Sequence, residues 1–91
     1  SMADTDTLTI AATRLFSVEE AARRLRNLLG SNPDWKILQY YLPPGLETAM
    51  DFRSATASHF VASLELAQEG VLRLRQENHF SPLYMKLKDM P

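Results

Sequence analysis

Residues 52–85 read FRSATASHFVASLELAQEGVLRLRQENHFSPLYM, and a change of period inside that stretch decides the fold. From Phe52 to Glu69 there is neither Pro nor Gly and good helix formers dominate, while Gly70 stands where a left-handed residue closes a helix. Placed at about 100° per residue, the side chains fall into two apolar stripes. One carries Ala57, Phe60, Val61, Leu64 and Ala67; the other carries Ala55, Ala62 and Leu66, with His59 beside it. Ser58, Glu65 and Glu69 part them on one flank, and only the small Thr56 and Ser63 on the other. A surface helix of a small domain needs one such stripe. Two explanations therefore stand: a core helix gripped on two sides, by a partner helix and by a sheet, or a helix with one stripe reserved for another protein.

After Gly70 the period drops to two. Leu72 and Leu74 point one way and Val71, Arg73 and Arg75 the other; further on, Leu83, Met85 and Leu87 oppose Tyr84, Lys86 and Lys88. These are two half-buried strands. Glu77 to Pro82 forms a polar turn between them, and its Phe80 is expected to fold back over the end of the sheet. A long helix running into a two-stranded wing is the second half of a winged-helix domain. The fold expected is α+β, mainly α, with three helices and a small antiparallel hairpin over residues 13–88.

Upstream, Ser17 opens a first helix with a capping box to Glu20, and Val18, Ala21, Ala22, Leu25, Leu28 and Leu29 share one arc before Gly30 ends it. Its far face pairs Glu19 with Arg23 and Glu20 with Arg24 at helical spacing. With carboxylates among them, Arg23, Arg24 and Arg26 read as a solvated face, not a nucleic-acid patch. Asn32 and Pro33 resemble the cap and first position of a second helix, with Trp35, Leu38 and Leu42 on its apolar side and Pro43–Pro44 as its stop. Trp35 is expected in the core, and at least one of Tyr40 and Tyr41 should keep its hydroxyl in water. PPGLETAM, residues 43–50, is then a loop into the long helix.

The chain has 91 residues, a net charge of −1 and no cysteine. One domain of this size carries a net stability of only about 3–5 kcal/mol, so nearly every element must bury apolar surface. No run approaches the ~20 apolar residues of a membrane span, and no signal peptide is evident, so a soluble cytoplasmic protein is expected. Two isolated histidines and no thiolate leave no metal cluster, and no cofactor is expected. Ser1 and Met2 read as the remnant of an expression tag, with 1–12 a flexible lead-in, 89–91 a tail and the chain a fragment of a longer protein. Leu8 and Ile10, alternating with threonines, could add an extended segment.

The ordered set Phe60, Leu64, Glu65, Leu66, Gly70, Leu72, Leu74, Gln76 and Phe80 resembles the C-terminal domain of segregation and condensation protein A, the kleisin subunit of the bacterial Smc condensin. LFSVEEAARRL (15–25) and PDW (33–35) are similar to alphaproteobacterial members, so the likeness runs from about Leu15 to Met85. One departure is the turn, where Ser81, Pro82 and Leu83 replace the family's Gly, acidic residue and Ile. The resemblance implies a winged-helix adaptor that docks on the ATPase head of an Smc protein. The full kleisin, with segregation and condensation protein B as a further partner, would close the ring in chromosome condensation and segregation, at the nucleoid. Its implied head contacts are Phe60, Leu64 and Leu66, with Gln76 and Phe80, and the fragment is expected to be monomeric. Of the two stripes, Phe60 and Leu64 are expected to face the partner, and Leu66, between Ala55 and Ala62, to pack inside.

Catalysis finds no support. The sequence has no nucleophile elbow, glycine-rich phosphate loop or metal-ligand cluster, and capping explains the adjacent Glu19 and Glu20. The contest is with a DNA-binding winged-helix transcription regulator, since fold alone does not settle function. A helix entering the major groove needs Arg, Lys, Asn or Gln at its exposed face. Phe52 to Glu69 offers Arg53 against Glu65 and Glu69, a balance that phosphate would repel. The cations lie instead on the wing, where Arg73, Arg75, Lys86 and Lys88 could share a face with Tyr84. They read as charges that keep an exposed sheet from pairing with other chains, with weak salt-sensitive DNA contact as their other use.

Overall fold

A computed structural model describes residues 16–89. The lead-in, with Leu8 and Ile10, and the last residues of the tail lie outside the described residues. In chain order the elements are helix α1 (Val18–Leu29), strand β1 (Lys36–Ile37), a 3-10 turn (Leu38–Tyr41), helix α2 (Ala49–Gln68), and strands β2 (Leu72–Arg75) and β3 (Tyr84–Leu87). Among the described residues the architecture is α+β: two helices and an antiparallel three-stranded sheet in the order β1-β3-β2.

Helix α1 starts where Ser17 Oγ accepts the Glu20 amide at 3.0 Å, although no return bond from the Glu20 side chain closes the box. Ala21, Leu25 and Leu29 are buried and pack with Ala62 and Leu66 of α2, while Val18, Ala22 and Leu28 flank that contact. The far face differs from expectation at Arg24. Its guanidinium donates to the carbonyls of Tyr41 at 2.9 Å and Leu42 at 3.2 Å, tying α1 to the end of the 3-10 turn. It is a brace, and neither helical Glu–Arg pair forms among the described residues. The exposed ion pair is Arg26 with Glu69, at 2.8 Å.

The second helix expected after Pro33 does not form. Asn32 Nδ2 donates back to Leu28 O, at 3.3 Å, serving the end of α1 instead of capping a new helix. The segment is short for a helix and holds the β-branched Ile37 and three aromatic residues, all weak helix formers. The free edge of β3 offers it a better partner. Lys36 pairs with Met85 and Ile37 with Tyr84, and Leu38 N donates to Leu83 O at 2.9 Å. Leu38 and Tyr41 still reach the core, and Tyr40 is the tyrosine left in water.

Alternation in the wing holds from Leu72 onward, whereas Val71, expected to point outward with the arginines, packs against the core. Leu72 and Met85 are buried and Leu74 and Leu87 pack beside them, while the register sets Arg73 opposite Lys86 and Arg75 opposite Tyr84 on the other face. Trp35 lies with that outer face and not in the core, its ring centroid 4.5 Å from the Arg75 guanidinium. Phe80 does not cover the sheet end; at the hairpin tip it is 100% exposed.

Candidate functional site

Helix α2 is fixed at both ends by its own sequence. At its start Thr48 Oγ1 accepts the Asp51 amide at 3.0 Å, and Asp51 Oδ2 accepts the amides of Thr48 and Glu47 at 3.2 and 3.0 Å. This capping box draws Ala49 and Met50, expected in the loop, into the helix. At the far end Gly70, at φ +80°, turns the chain so that its amide donates to Ala67 O and that of Val71 to Leu66 O. That paired closure sets the phase of β2 against the helix.

Between these ends the fold uses one stripe, joined by Ala67 from the end of the other. Ala55, Ala62 and Leu66 are buried, with Ser58, His59 and Ser63 among them. The small side chains let α1 approach closely. The serines cost little there, because Ser58 Oγ donates to Ala55 O and Ser63 Oγ to Phe60 O. Opposite lie Phe60, Val61 and Leu64, 43%, 41% and 46% exposed. Met50 and Phe52 lengthen this face by more than a turn, and Arg53 is the cation set within it.

Phe60 stands between two shallow grooves. One, of about 390 Å³, is lined by Leu38, Phe52, Arg53, Thr56, Ala57 and Phe60. The other, of about 480 Å³, runs towards the hairpin tip and brings together Phe60, Gln76 and Phe80 beside Ile37, Pro82 and Leu83. Gln76 shapes that tip, its Nε2 donating to Ser81 O at 2.9 Å. Of the residues read as partner contacts, Phe60, Gln76 and Phe80 thus share one groove and Leu64 lies a turn along the helix. Leu66 does not join them: at 2% exposure it belongs to the core, as its place between Ala55 and Ala62 suggested. Arg73, Arg75, Lys86 and Lys88 sit away from this groove, on and beside the outer sheet face.

His59 is buried against α1. Its Nδ1 lies 2.7 Å from Ala55 O, which identifies the Nδ1–H tautomer, and Nε2 has no partner among the described residues. Burial lowers its pKa; the bond to Ala55 O acts the other way, and nearby Arg24 lowers it further. The unfolded chain then takes up a proton below about pH 6.5 while the folded one resists. Stability is full above that pH and should fall by up to about 1.4 kcal/mol per pH unit below it, down to the lowered folded pKa. Thermal melts from pH 7.5 to 5.5 should show the decline, and His59→Gln should flatten it. A parent melting temperature constant over this range would contradict the assignment.

Among the described residues no three His, Cys, Asp or Glu side chains gather to hold a metal ion, and no helix is long and apolar enough to cross a membrane. What the site offers is apolar relief on a firm helix, with an aromatic side chain projecting at each end of one groove. No family model matches the chain, and no curated protein matches it.

Proposed function

We propose that this is a winged-helix domain of the kleisin type, an adaptor that docks on the ATPase head of an Smc protein through the exposed stripe of α2 and the hairpin tip. The observation that carries the reading is the stripe itself. Phe60, Val61 and Leu64 are each more than 40% exposed on a helix otherwise packed into a small core, and Phe80 continues the same apolar surface. Contiguous exposed apolar surface on a domain this small marks an interaction site.

The fold supports it. A helix, a short strand, a helical turn, a long helix and a hairpin whose second strand pairs with the first strand are compatible with a winged-helix order in which the 3-10 turn takes the place of the middle helix. The residues resembling segregation and condensation protein A cluster where α2 meets the wing. In the full protein this domain would serve ring closure around the chromosome, in the cytoplasm at the nucleoid, with segregation and condensation protein B as a further partner. A major-groove role for α2 is disfavoured by its charge, since Arg53 is offset by Asp51, Glu65 and the neighbouring Glu69.

Purified Smc head domain from the source organism, titrated with this chain in a calorimeter, tests the proposal. Saturable one-to-one binding with Kd near or below about 1 µM is expected. Absence of binding, together with duplex DNA bound more tightly than the ~10⁻⁶ M limit of ordinary non-specific contact, would favour the transcription-regulator reading instead.

A further inference from the structure

We propose that the outer face of the sheet is a contact surface for the phosphate backbone of duplex DNA, built from guanidinium groups stacked on Trp35. This does not rest on the docking function; it uses another face of the molecule.

Arg75 lies 4.5 Å from the Trp35 ring centroid and 5.9 Å from that of Tyr84, and Arg73 lies 5.7 Å from Trp35. A guanidinium over an aromatic face is held in orientation while its N–H donors remain free at the edge. Lys86 stands across from Arg73, and Lys88 continues the strand. Two cations of α1 are engaged in other ways: Arg24 holds two carbonyls and Arg26 holds Glu69. Among the described residues, none of Arg73, Arg75, Lys86 and Lys88 forms an ion pair, although Glu77 and Asp89 lie near them in sequence and Asp34 precedes Trp35. Protecting a sheet edge needs exposed charge but not arginines ordered on a tryptophan.

The occupant follows from charge and shape. The α-carbons of Arg73 and Arg75, alternate residues on one strand, stand about 6.6 Å apart, and both guanidiniums converge on Trp35 to make one concentrated patch of positive charge. With guanidiniums on its ring, Trp35 is not free to stack bases, which disfavours single strands. A protein partner would need apolar anchors, and apart from Tyr40 on the 3-10 turn the large exposed ones gather on α2 and the hairpin tip. Duplex backbone needs only the cations.

Fluorescence anisotropy of a labelled mixed-sequence duplex, titrated with the 91-residue chain at 50 to 200 mM salt, tests this. Four phosphate contacts predict a fall in affinity of about a hundredfold across that range, and Arg73→Ala with Arg75→Ala should reduce the fall to about tenfold. Trp35→Ala should weaken binding at 50 mM salt without altering the salt slope, and Trp35→Tyr, which keeps a ring, should restore it. Circular dichroism melts confirm that each variant is folded. A slope unmoved by the arginine pair, no binding at 50 mM salt, or equal affinity for a single strand or polyglutamate would overturn the proposal. Phe60→Ala should leave DNA binding unchanged, which separates this result from failure of the docking reading.

Discussion

Leu66→Arg is expected to abolish the cooperative thermal transition, while Leu64→Arg should melt within a few degrees of the parent. Leu66 is 2% exposed and packs in the cluster of Leu25, Leu29, Leu72 and Met85. An arginine there must bury its charge unpaired or drag the helix off the sheet. Either costs several kcal/mol, against a margin of about 3–5 kcal/mol for a domain of this size. Leu64 is 46% exposed, so its replacement keeps its charge in water, and Arg matches Leu closely in helix propensity. Such surface changes usually stay within about 0.5 kcal/mol. Circular dichroism melts of both variants decide the point. If Leu64→Arg also unfolds, the outer stripe is part of the core; if Leu66→Arg melts normally, the packing of α2 described above is wrong.

The contrast between these leucines shows how far local pattern reaches. Periodicity separated their stripes and the glycine stop placed the wing, because both signals lie within a few residues and follow from backbone geometry. Which stripe the core takes depends on α1, far away in sequence. The small residues beside Leu66 were the readable hint, since close helix packing needs them. The missing middle helix is another case. Pro33 and the spacing of Trp35, Leu38 and Leu42 suit a helix, but the decisive partner is the edge of β3, residues 84–87, which local pattern cannot supply. By contrast the start of α2 was readable: Thr48 and Asp51 carry a capping box, obscured by the preceding Pro43–Pro44–Gly45 turn. Within the candidate site, helical spacing gave Phe60 and Leu64, whereas the meeting of Phe60 with Gln76 and Phe80 depends on the return of the hairpin. Trp35 under Arg75 was not legible, because a lone tryptophan in a helical pattern points to the core and only the strand pairing brings it to the outer face.

Phe60→Ala and Phe80→Ala should each weaken binding to the Smc head by about 2 kcal/mol or more, roughly thirtyfold, and leave the melting temperature nearly unchanged. The folded state spends little on either ring: Phe60 is 43% exposed and Phe80 fully so. Their exposure to water is therefore a cost that a partner relieves, and interfaces draw most of their energy from a few such side chains. Because both line one groove of about 480 Å³, a single feature of the head can fill it. Their losses should then be less than additive in the double variant, since removing one ring already unseats what contacts the other. Calorimetric titration of the parent, both single variants and the double variant measures this. Additive losses would mean separate contacts on helix and hairpin. If Phe80→Ala binds like the parent while Phe60→Ala does not, the head grips α2 alone. Parent-like binding by both would remove the groove from the docking surface, and Leu64→Arg would then decide whether any part of the α2 stripe belongs to it.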